Sequence, residues 1–313
     1  MSKIDFVVIH FDVYDKKTKK IFDDNFKSNN KYKMPSYKFF YNKEGLCLVV
    51  KSIQKHAPWY RKIFVVSDSN IDYLLSDSII QVKSEDIIDK EYLPNYNINN
   101  YELNIHRIEL LSEQFVLFTP GNFLINNVDE NFFFKKKLPC DFMVEEPFDI
   151  DNRYKRHILA NDVLMLSKFY KRHVSYKKIL FKNISLFNLK DTWTNMYNYV
   201  QRRNAFYGFR EKNMPVSLLK SKVVEFHKIF ENELLKSYSV FETDFNVDYC
   251  LIKYFFYVNG YYYPKNVLKY EKIIDDALQL SDLSFDTKII SINLNANKTE
   301  LEDIRNNNLE VSI

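Results

Sequence analysis

Short, unbroken apolar runs recur through the first 120 residues and predict buried strands. They are rich in Val, Ile and Phe and cover Phe6–Phe11, Ile63–Ser67, Ile79–Val82 and Phe115–Phe118. Longer stretches between them have apolar residues at helical spacing, notably Glu44–His56 and Ile98–Glu113. Buried strands that alternate with helices indicate a mostly parallel sheet covered on both faces. The predicted fold class is therefore α/β.

The pattern changes after about residue 150, where longer helical stretches rich in Tyr and Lys replace the apolar runs. Two of them are Asp162–Lys171 and Asp191–Arg203. A strand pattern returns at Lys288–Leu294, and a short helical pattern follows at Thr299–Asn307. We predict three regions: an α/β core at 1–150, a mainly helical insertion at 151–270, and a C-terminal strand and helix at 271–313 that return to the core.

Composition excludes several classes of protein. The 313 residues are 46% hydrophobic and 27% charged, which is typical of a globular chain. Only four glycines occur, whereas a dinucleotide fingerprint or a P-loop needs several where backbone approaches phosphate. The net charge of +4 is too small to predict nucleic acid as a partner.

The cysteines and the apolar runs bear on the cellular compartment. Cys47, Cys140 and Cys250 are far apart and odd in number, which predicts neither a disulfide framework nor a zinc site. The first residues lack the apolar run of a signal peptide, and no stretch approaches the roughly 20 apolar residues of a membrane span. We expect a cytoplasmic protein whose contact with the inner face of the membrane is at most peripheral.

Acidic residues follow two of the predicted strands. Asp12 and Asp15 come just after the first run, and Asp68 directly follows the second. Ligands of open α/β sheets bind beyond the carboxyl ends of the strands, so we expect a ligand at residues 9–15 and 66–70. Aspartates in such positions are also common turn formers.

The predicted helix Ile98–Glu113 has a polar face that includes Glu102 and His106. These two residues are four apart, so the carboxylate can accept the imidazole N–H and raise its basicity. A histidine held in this way could take a proton from an acceptor hydroxyl as a general base. The alternative is a solvated acidic face in which the pair only stabilises the helix, by about 0.2–0.5 kcal/mol.

Three further groups have both a functional and a structural interpretation. The acidic run at 145–151 either holds a divalent metal or forms an exposed loop. Arg202, Arg203 and Arg210 lie among aromatic residues and either meet a phosphate or sugar, or form a cationic surface. His227 has no partner at helical spacing, which predicts a surface residue.

Three blocks of the sequence resemble one known family. Ile4–Asp15 (IDFVVIHFDVYD) is similar to the pattern IDxVxTWVDGSD, and residues 52–68 (SIQKHAPWYRKIFVVSD) to SIEKYAPWIRKIYIVTD. Tyr92–Phe118 (YLPNYNINNYELNIHRIELLSEQFVLF) is similar to YLPTFNSxAIExxLHRIPGLSExFLYF. These blocks are those of the Stealth family of sugar-phosphate transferases, which build microbial surface polysaccharide. The resemblance spans nearly the whole chain and is strongest at 44–118.

The resemblance implies a glycosyltransferase-A-like fold, with a nucleotide-sugar site in region 1–150 and an acceptor region at 151–270. It implies transfer of a hexose 1-phosphate from a UDP- or CMP-like donor to a hydroxyl of an oligosaccharide or lipid-linked glycan. The predicted catalytic residues are His106, Glu102 and Arg107. The predicted nucleotide- or substrate-binding residues are Asp12, Asp15, Lys51, Asp68, Asn97 and Asn293.

The chain departs from the family at a turn that matters for its chemistry. Where the family has Asn-Asp-Asp, this chain has Thr119-Pro120-Gly121, and Cys47 replaces a family arginine. Mg²⁺ is expected of the family, whose carboxylate pair can hold it, but Pro120-Gly121 cannot do so in the same way. We predict no metal ligand and an activity with little or no dependence on metal.

Three functions stay open at this point. One is a divergent sugar-1-phosphate transferase that uses other groups. Another is a glycosyltransferase that releases a nucleoside diphosphate, stabilised by Arg, Lys or helix N-termini. The third is a catalytically inactive binding subunit of a polysaccharide-assembly complex.

Overall fold

The computed structural model describes residues 3–10, 20, 43–119, 121–146, 156–170, 182–184, 189–201, 208–210, 214–274 and 283–292. Its helices are α1 (Lys43–His56), α2 (Ile98–Asn104), α3 (Glu130–Phe133), α4 (Arg156–Tyr170), α5 (Leu189–Gln201), α6 (Lys220–Ser237) and α7 (Tyr249–Asn259). Its strands are β1 (Ile4–Ile9), β2 (Ile63–Val66), β3 (Ile79–Val82), β4 (Gln114–Phe118), β5 (Asn122–Leu124), β6 (Phe134–Lys135), β7 (Leu138–Asp141), β8 (Val216–Leu219), β9 (Tyr263–Pro264), β10 (Glu271–Ile274) and β11 (Ile289–Ile292).

A five-stranded sheet in the order β3-β2-β1-β4-β8 forms the centre of the molecule. Its first four strands are parallel, and β8 runs antiparallel to β4. β1 and β2 are buried along their whole length, because helices and loops cover both faces of a parallel sheet. The predicted α/β class, a mostly parallel sheet of the glycosyltransferase-A-like kind flanked by helices, is confirmed.

Helices α1 and α2 cover opposite faces of the sheet. The crossover that contains α1 runs from β1 to β2 and the one that contains α2 runs from β3 to β4, in opposite directions across the sheet. Because such crossovers are right-handed almost without exception, the two helices lie on opposite faces. α1 packs on β5, whereas α2 packs on β1 and α7, and α4 and α6 also pack on α7. On the α1 face, the Phe6 ring lies 5.5–5.7 Å from the rings of Trp59, Phe118 and Phe133.

A buried ion pair ties together the amino ends of three strands. Asp5 is fully buried and accepts hydrogen bonds from Arg61 Nε at 2.8 Å and from the Ser112 amide at 2.7 Å. Arg61 also donates to the Leu110 carbonyl at 2.6 Å. Because a buried carboxylate is stable only when it is paired, this contact fixes the start of β1 against the segments that lead into β2 and β4.

The helix predicted over Ile98–Glu113 is shorter than expected. α2 ends at Asn104, a 3-10 turn covers Ile105–Arg107, and a loop leads into β4. The Ile108 carbonyl accepts from Lys220 Nζ at 2.8 Å instead of from a helical N–H. Side chains from elsewhere in the chain therefore end the helix early.

The last described strand, β11, belongs to a three-stranded sheet with β10 and β5. β11 pairs parallel with β10 and antiparallel with β5, the strand that follows the turn after β4. This agrees with the strand pattern at Lys288–Leu294, whereas Thr299–Asn307 lies outside the described residues. Region 151–270 also supplies strand β8 to the central sheet, and the division into three regions stays a prediction.

None of the helices that the structure describes is long and apolar enough to cross a membrane.

Candidate active site

The carboxyl ends of the four parallel strands lie level with one another. His10, Ser67 and Thr119 directly follow β1, β2 and β4, and each is at most 5% exposed. The His10 amide donates to Val66 O and the Ser67 amide to Val82 O, both at 2.9 Å. The sheet pattern thus extends one residue past the strand ends, and the loops beyond form the edge where ligands of such sheets bind.

Asp68 joins the loops that follow β2 and β3. Its Oδ1 accepts the Ser84 amide at 2.8 Å, and its Oδ2 accepts the Ser84 hydroxyl at 2.6 Å. The Asp68 carbonyl accepts from Lys83 Nζ at 3.3 Å. The residue is nevertheless exposed, and its carboxylate has further lone pairs. Asp68 therefore braces two loops and can still accept hydrogen bonds from a ligand.

The buried Tyr101 lies close to these groups. Its hydroxyl donates to the Asn95 carbonyl at 3.0 Å. Burial raises the pKa of Tyr101, the negative charge of Asp68 raises it further, and a hydrogen bond with Ser84 opposes this. The phenol therefore stays protonated at neutral pH and is a donor rather than a base.

Asn97 forms the N-cap of α2 and is fully buried. Its Oδ1 accepts the Asn99 amide at 3.1 Å, and its Nδ2 donates to Ser239 Oγ at 3.2 Å. These bonds hold the start of α2 against the segment after α6. The geometry favours a positioning role, and direct contact between Asn97 and a substrate stays a prediction.

Asn99, in the first turn of α2, is a candidate that sequence reasoning missed. It is 1% exposed, and neither its Nδ2 nor its Oδ1 has a hydrogen-bond partner in the part of the chain that the structure describes. The Oδ1 of Asn122, a fully buried residue just past β4, also has no hydrogen-bond partner among the described residues. A buried polar group without a partner destabilises a fold by roughly 1–3 kcal/mol. A polar ligand at this edge would supply the missing bonds.

His106 lies away from the ligand edge, roughly 14 Å along the helix from Asn97. Its ring packs against that of His227, with centroids 4.0 Å apart. Both rings contact the Leu103 carbonyl, His106 through Nδ1 at 3.3 Å and His227 through Nε2 at 2.8 Å. The prediction of a surface position for His227 is wrong, because its ring is half-buried in this contact.

The surroundings of His106 lower its basicity instead of raising it. Burial lowers the pKa of His106 to about 3, and His227, Arg107 and Lys220 lower it as well. The Nδ1 of His106 contacts the Leu103 carbonyl and not Glu102. Glu102 is buried in α2. Catalytic roles for His106 and Glu102 stay predictions that this arrangement does not favour.

Arg107, the third predicted catalytic residue, forms a bidentate ion pair on the surface. It donates to both oxygens of Asp89 at 2.7 and 3.1 Å, and to the Ile87 carbonyl at 3.2 Å. These bonds hold the end of α2 on the loop after β3. The structure therefore does not bring Arg107 together with Asp68, and its catalytic role also stays a prediction.

Lys51 is exposed on α1. One turn earlier lies Cys47, which replaces the family's arginine. Burial raises the pKa of the Cys47 thiol, while the positive charges of Lys51 and Lys43 act in the opposite direction. Lys43 Nζ lies 3.8 Å over the Tyr73 ring, in the loop after β2. Two lysines thus put positive charge on both sides of the position where the family has its arginine.

The remaining predicted binding residues, Asp12, Asp15 and Asn293, lie outside the described residues. Asn293 directly follows β11, whose Ile292 amide donates to the Gly121 carbonyl at 2.9 Å.

The turn after β4 closes on itself. Asn122 Nδ2 donates to the Thr119 carbonyl at 3.1 Å and also to the Thr119 hydroxyl. Gly121 has a φ of 89°, where any side chain is strained. An aspartate at this position would need a different backbone conformation. The turn therefore does not fit Mg²⁺, which prefers carboxylate oxygens.

Other acidic groups are used within the fold. Glu145 is buried, and Glu146 accepts from Arg210 at 2.5 Å, while Arg210 also donates to Asp191 at 2.7 Å. The interpretation of an exposed loop is therefore wrong for Glu145, and Arg210 is held by two carboxylates. Asp149, Asp151, Arg202 and Arg203 lie outside the described residues.

One trio of metal-binding side chains meets within the described ranges: Asp162, Asp248 and Cys250, with ligand atoms within 4.8 Å of one another. All three are buried. Asp248 caps α7 by accepting the Cys250 amide at 2.7 Å, and its own amide donates to Asp162 Oδ1 at 3.3 Å. These bonds join α4 to α7, and we assign no metal to the trio.

Comparison with known proteins identifies the family. Conserved region 2 of the Stealth proteins matches residues 39–141, the segment that carries β2, β3, β4 and α2. A capsular polysaccharide phosphotransferase, WcwK of Streptococcus pneumoniae, is 30% identical over 275 residues, which are 84% of this chain and 80% of the relative. This chain belongs to the Stealth family. The predicted resemblance is confirmed.

Further relatives extend the likeness beyond the matched region of this Stealth protein. Another WcwK of Streptococcus pneumoniae is 29% identical over 260 residues, 78% of this chain and 74% of the relative. The exopolysaccharide phosphotransferase cps2G of Lactiplantibacillus plantarum is 26% identical over 298 residues, 87% of this chain and 83% of the relative. Asp68, Tyr101 and Asn99 all lie within the matched Stealth region.

Proposed function

We propose that this Stealth protein is a transferase that moves a hexose 1-phosphate from a nucleotide sugar to a glycan hydroxyl during synthesis of capsular polysaccharide. The names of its relatives, capsular and exopolysaccharide phosphotransferases, support sugar-phosphate transfer. The observation that carries the proposal is the ligand edge inside conserved region 2. There, the accessible carboxylate of Asp68 and the buried amide of Asn99, which has no partner among the described residues, offer complementary groups for a sugar or a nucleotide.

In the proposed reaction, the acceptor hydroxyl oxygen attacks the phosphorus that carries the hexose. The bond from that phosphorus to the bridging oxygen breaks, and a nucleoside monophosphate leaves with the bridging oxygen. The hydroxyl proton passes to a carboxylate, for which Asp68 is the candidate among the described residues, with Asp12 and Asp15 outside them. Lys43 and Lys51 supply positive charge for the diphosphate, as positioned cations do in phosphoryl transfer.

We further propose that the nucleotide lies at the ends of β1 and β2, at residues 9–15 and 66–70. Parallel sheets bind ligands at this edge. A nucleotide-bound structure would test the proposal directly. A base more than about one helix diameter away, on the order of 10 Å, would refute it.

Product analysis separates the proposed reaction from its alternatives. The protein is incubated with UDP-, GDP- and CDP-sugars and a glycan acceptor, and the released nucleotide is identified. Release of the nucleoside monophosphate, UMP, GMP or CMP, supports sugar-phosphate transfer. Release of the nucleoside diphosphate, UDP, GDP or CDP, would mean glycosyl transfer, the second candidate that the Thr119–Gly121 turn keeps open. Nucleotide-sugar binding without any product would mean an inactive binding subunit.

Matched variants test the role of Asp68. We expect Asp68→Asn to lower kcat/KM at least about tenfold, since one charged acceptor contact in a site is worth about 1.5–3 kcal/mol. Asp72→Asn, an exposed aspartate in the same loop, should change kcat/KM less than twofold. Because Asp68 also holds Ser84, thermal unfolding must show that both variants remain folded. Equal activity of the two variants would remove Asp68 from the reaction.

A further inference from the structure

Helix α5 presents its apolar face to solvent. Its exposed large apolar side chains lie at spacings of four, three, one and three residues, which place them on one side of the helix. We call this set the apolar stripe: Leu189, Trp193, Met196, Tyr197 and Val200, each 42–68% exposed. The stripe is about 16 Å long. Contiguous exposed apolar patches of this kind mark interaction sites.

The opposite, polar face of α5 is bonded to the protein. Asn195 Nδ2 donates to the Met143 carbonyl at 2.8 Å, and its Oδ1 accepts the Glu145 amide at 2.8 Å. Asn198 Nδ2 donates to the Glu145 carbonyl at 2.6 Å. Rolling the helix to bury the apolar stripe would break all three bonds and leave buried backbone groups unpaired. The outward direction of the stripe is therefore fixed by the fold.

The chain around the apolar stripe is strongly basic. Residues 168–203 contain nine Lys or Arg and one acidic residue, Asp191, a formal net charge of +8. The whole chain carries +4, so the remaining residues together carry −4. Lys190, in the first turn of α5, is exposed. The molecule thus concentrates positive charge along the chain around its apolar stripe.

We propose that the apolar stripe docks this protein on the surface of an anionic lipid bilayer. Trp193 and Tyr197 are the residue types that settle at the headgroup level. Five side chains are too few for the roughly 20–30 residues that each side of a stable protein interface uses. A shallow apolar insertion joined to basic charge is, by contrast, how helices bind in the plane of anionic membranes. Docking of this kind is independent of which transfer reaction the protein performs.

Sedimentation with vesicles tests the proposal on the full chain. We expect binding to vesicles of phosphatidylcholine mixed with phosphatidylglycerol, little binding to phosphatidylcholine alone, and weakening by salt. Trp193→Ala/Tyr197→Ala should lower the partition coefficient at least about tenfold, because both exposed rings lose their burial. The matched control Phe245→Ala/Phe285→Ala removes two aromatic rings exposed elsewhere and should change it less than twofold.

Fluorescence quenching reports whether the stripe enters the lipid. The chain has two tryptophans, and Trp59 is half-buried against the core, where it donates to the Val128 carbonyl at 2.7 Å. Brominated lipid chains should therefore quench the emission of the vesicle-bound wild type but not that of Trp193→Phe, which keeps an aromatic stripe. Equal quenching of both proteins would place Trp193 outside the lipid and overturn the proposal.

Two other outcomes would also overturn it. One is that the wild type and Trp193→Ala/Tyr197→Ala bind vesicles equally well, or that neither of them binds. The other is concentration-dependent dimerisation that this double variant abolishes, which would make the stripe an interface between two copies. Activity on a short water-soluble acceptor should be unchanged in the stripe variant, so a failure of docking is distinguishable from a failure of the proposed transferase function.

Discussion

Helices α2 and α5 both turn polar side chains into the protein, but they use them differently. In α5, the amide of Asn195 is fully paired with backbone groups of the segment after β7. In α2, the equally buried amide of Asn99 has no partner among the described residues. Paired groups of this kind stabilise a fold, whereas an unpaired group is unfavourable until something binds it. The comparison suggests that α5 is anchored in order to present a surface, and that α2 retains a group for recognition.

The largest effect is expected from a substitution that removes the hydrogen bonds by which the polar face of α5 is anchored. We expect Asn195→Ala to lower the free energy of unfolding by about 3 kcal/mol, because the Met143 carbonyl and the Glu145 amide both lose their partner in the interior. Urea unfolding followed by circular dichroism measures the change. Met196→Ala, on the exposed side of the same helix, should stay within about 0.5 kcal/mol of the wild type. Similar values for the two variants would mean that α5 is not held by its polar face.

The next effect concerns the far end of α2, where His106 and His227 stack. Burial lowers the pKa of His227 to about 4, from an ordinary value of 6.5, so the folded protein keeps this ring neutral while the unfolded chain protonates it. The contribution of the ring to stability is therefore complete above pH 6.5 and is lost as the pH falls towards 4. Between pH 6.5 and 4.5 the wild type should therefore lose more stability than His227→Gln does. We expect this difference in the free energy of unfolding to be roughly 2 kcal/mol.

Unfolding curves across this pH range, with His157→Gln on α4 as the control, test this expectation. An unchanged pH dependence in His227→Gln would mean that the histidine pair titrates normally.

His106→Ala, assayed at neutral pH, addresses the predicted catalytic role in the same set of variants. A fall in activity of less than about threefold in a folded protein would leave His106 with a structural role only.

A smaller effect is expected at Asn99, where a substitution tests whether the side chain binds the substrate or only packs in the protein. We expect Asn99→Ala to lower kcat/KM about tenfold, because the substrate loses a hydrogen-bond partner, while stability stays the same or rises slightly. Asn100→Ala provides the contrast. Its Nδ2 donates to the Ser239 carbonyl at 2.8 Å, so its loss should lower stability by about 1 kcal/mol. Unchanged activity in Asn99→Ala would remove this residue from the site.

The smallest expected effect is that of chelation. Because the Thr119–Gly121 turn does not fit a divalent ion, turnover should change less than about twofold in EDTA. The released nucleotide, measured with and without chelator, gives the answer. A complete loss of turnover that Mg²⁺ or Mn²⁺ restores would place a metal elsewhere, and Asp12, Asp15 and the acidic run at 145–151 would be tested first.

Local patterns were sufficient to predict the four parallel strands of the central sheet, but not β8. β1 to β4 and α1 follow from short apolar runs and helical spacing, because these patterns reflect the burial of each segment and not which distant strand pairs with it. The end of α2 could not be predicted in this way, since the Ile108 carbonyl is taken by Lys220, more than a hundred residues later in the chain. The stacking of His106 on His227 is hidden from the sequence for the same reason.

The site was only partly predictable. Asp68 follows from the rule that strand ends bind ligands, and it lies at the expected edge. Asn99 was overlooked because an asparagine in a first helical turn usually caps or faces solvent. Helical spacing predicted α5, but spacing alone does not say which face is buried, and the usual assumption of an inward apolar face is wrong there.

The placement of β8 has a consequence for synthesis of the chain on the ribosome. β8 covers the outer edge of β4, yet 97 residues separate Phe118 from Val216. At translation rates of roughly 5–20 residues per second, the backbone of β4 waits about 5–20 s for its partner. An open strand edge is a template for pairing with other chains. Nascent chains stalled before β8 should therefore aggregate after release, whereas chains that extend through α6 should not.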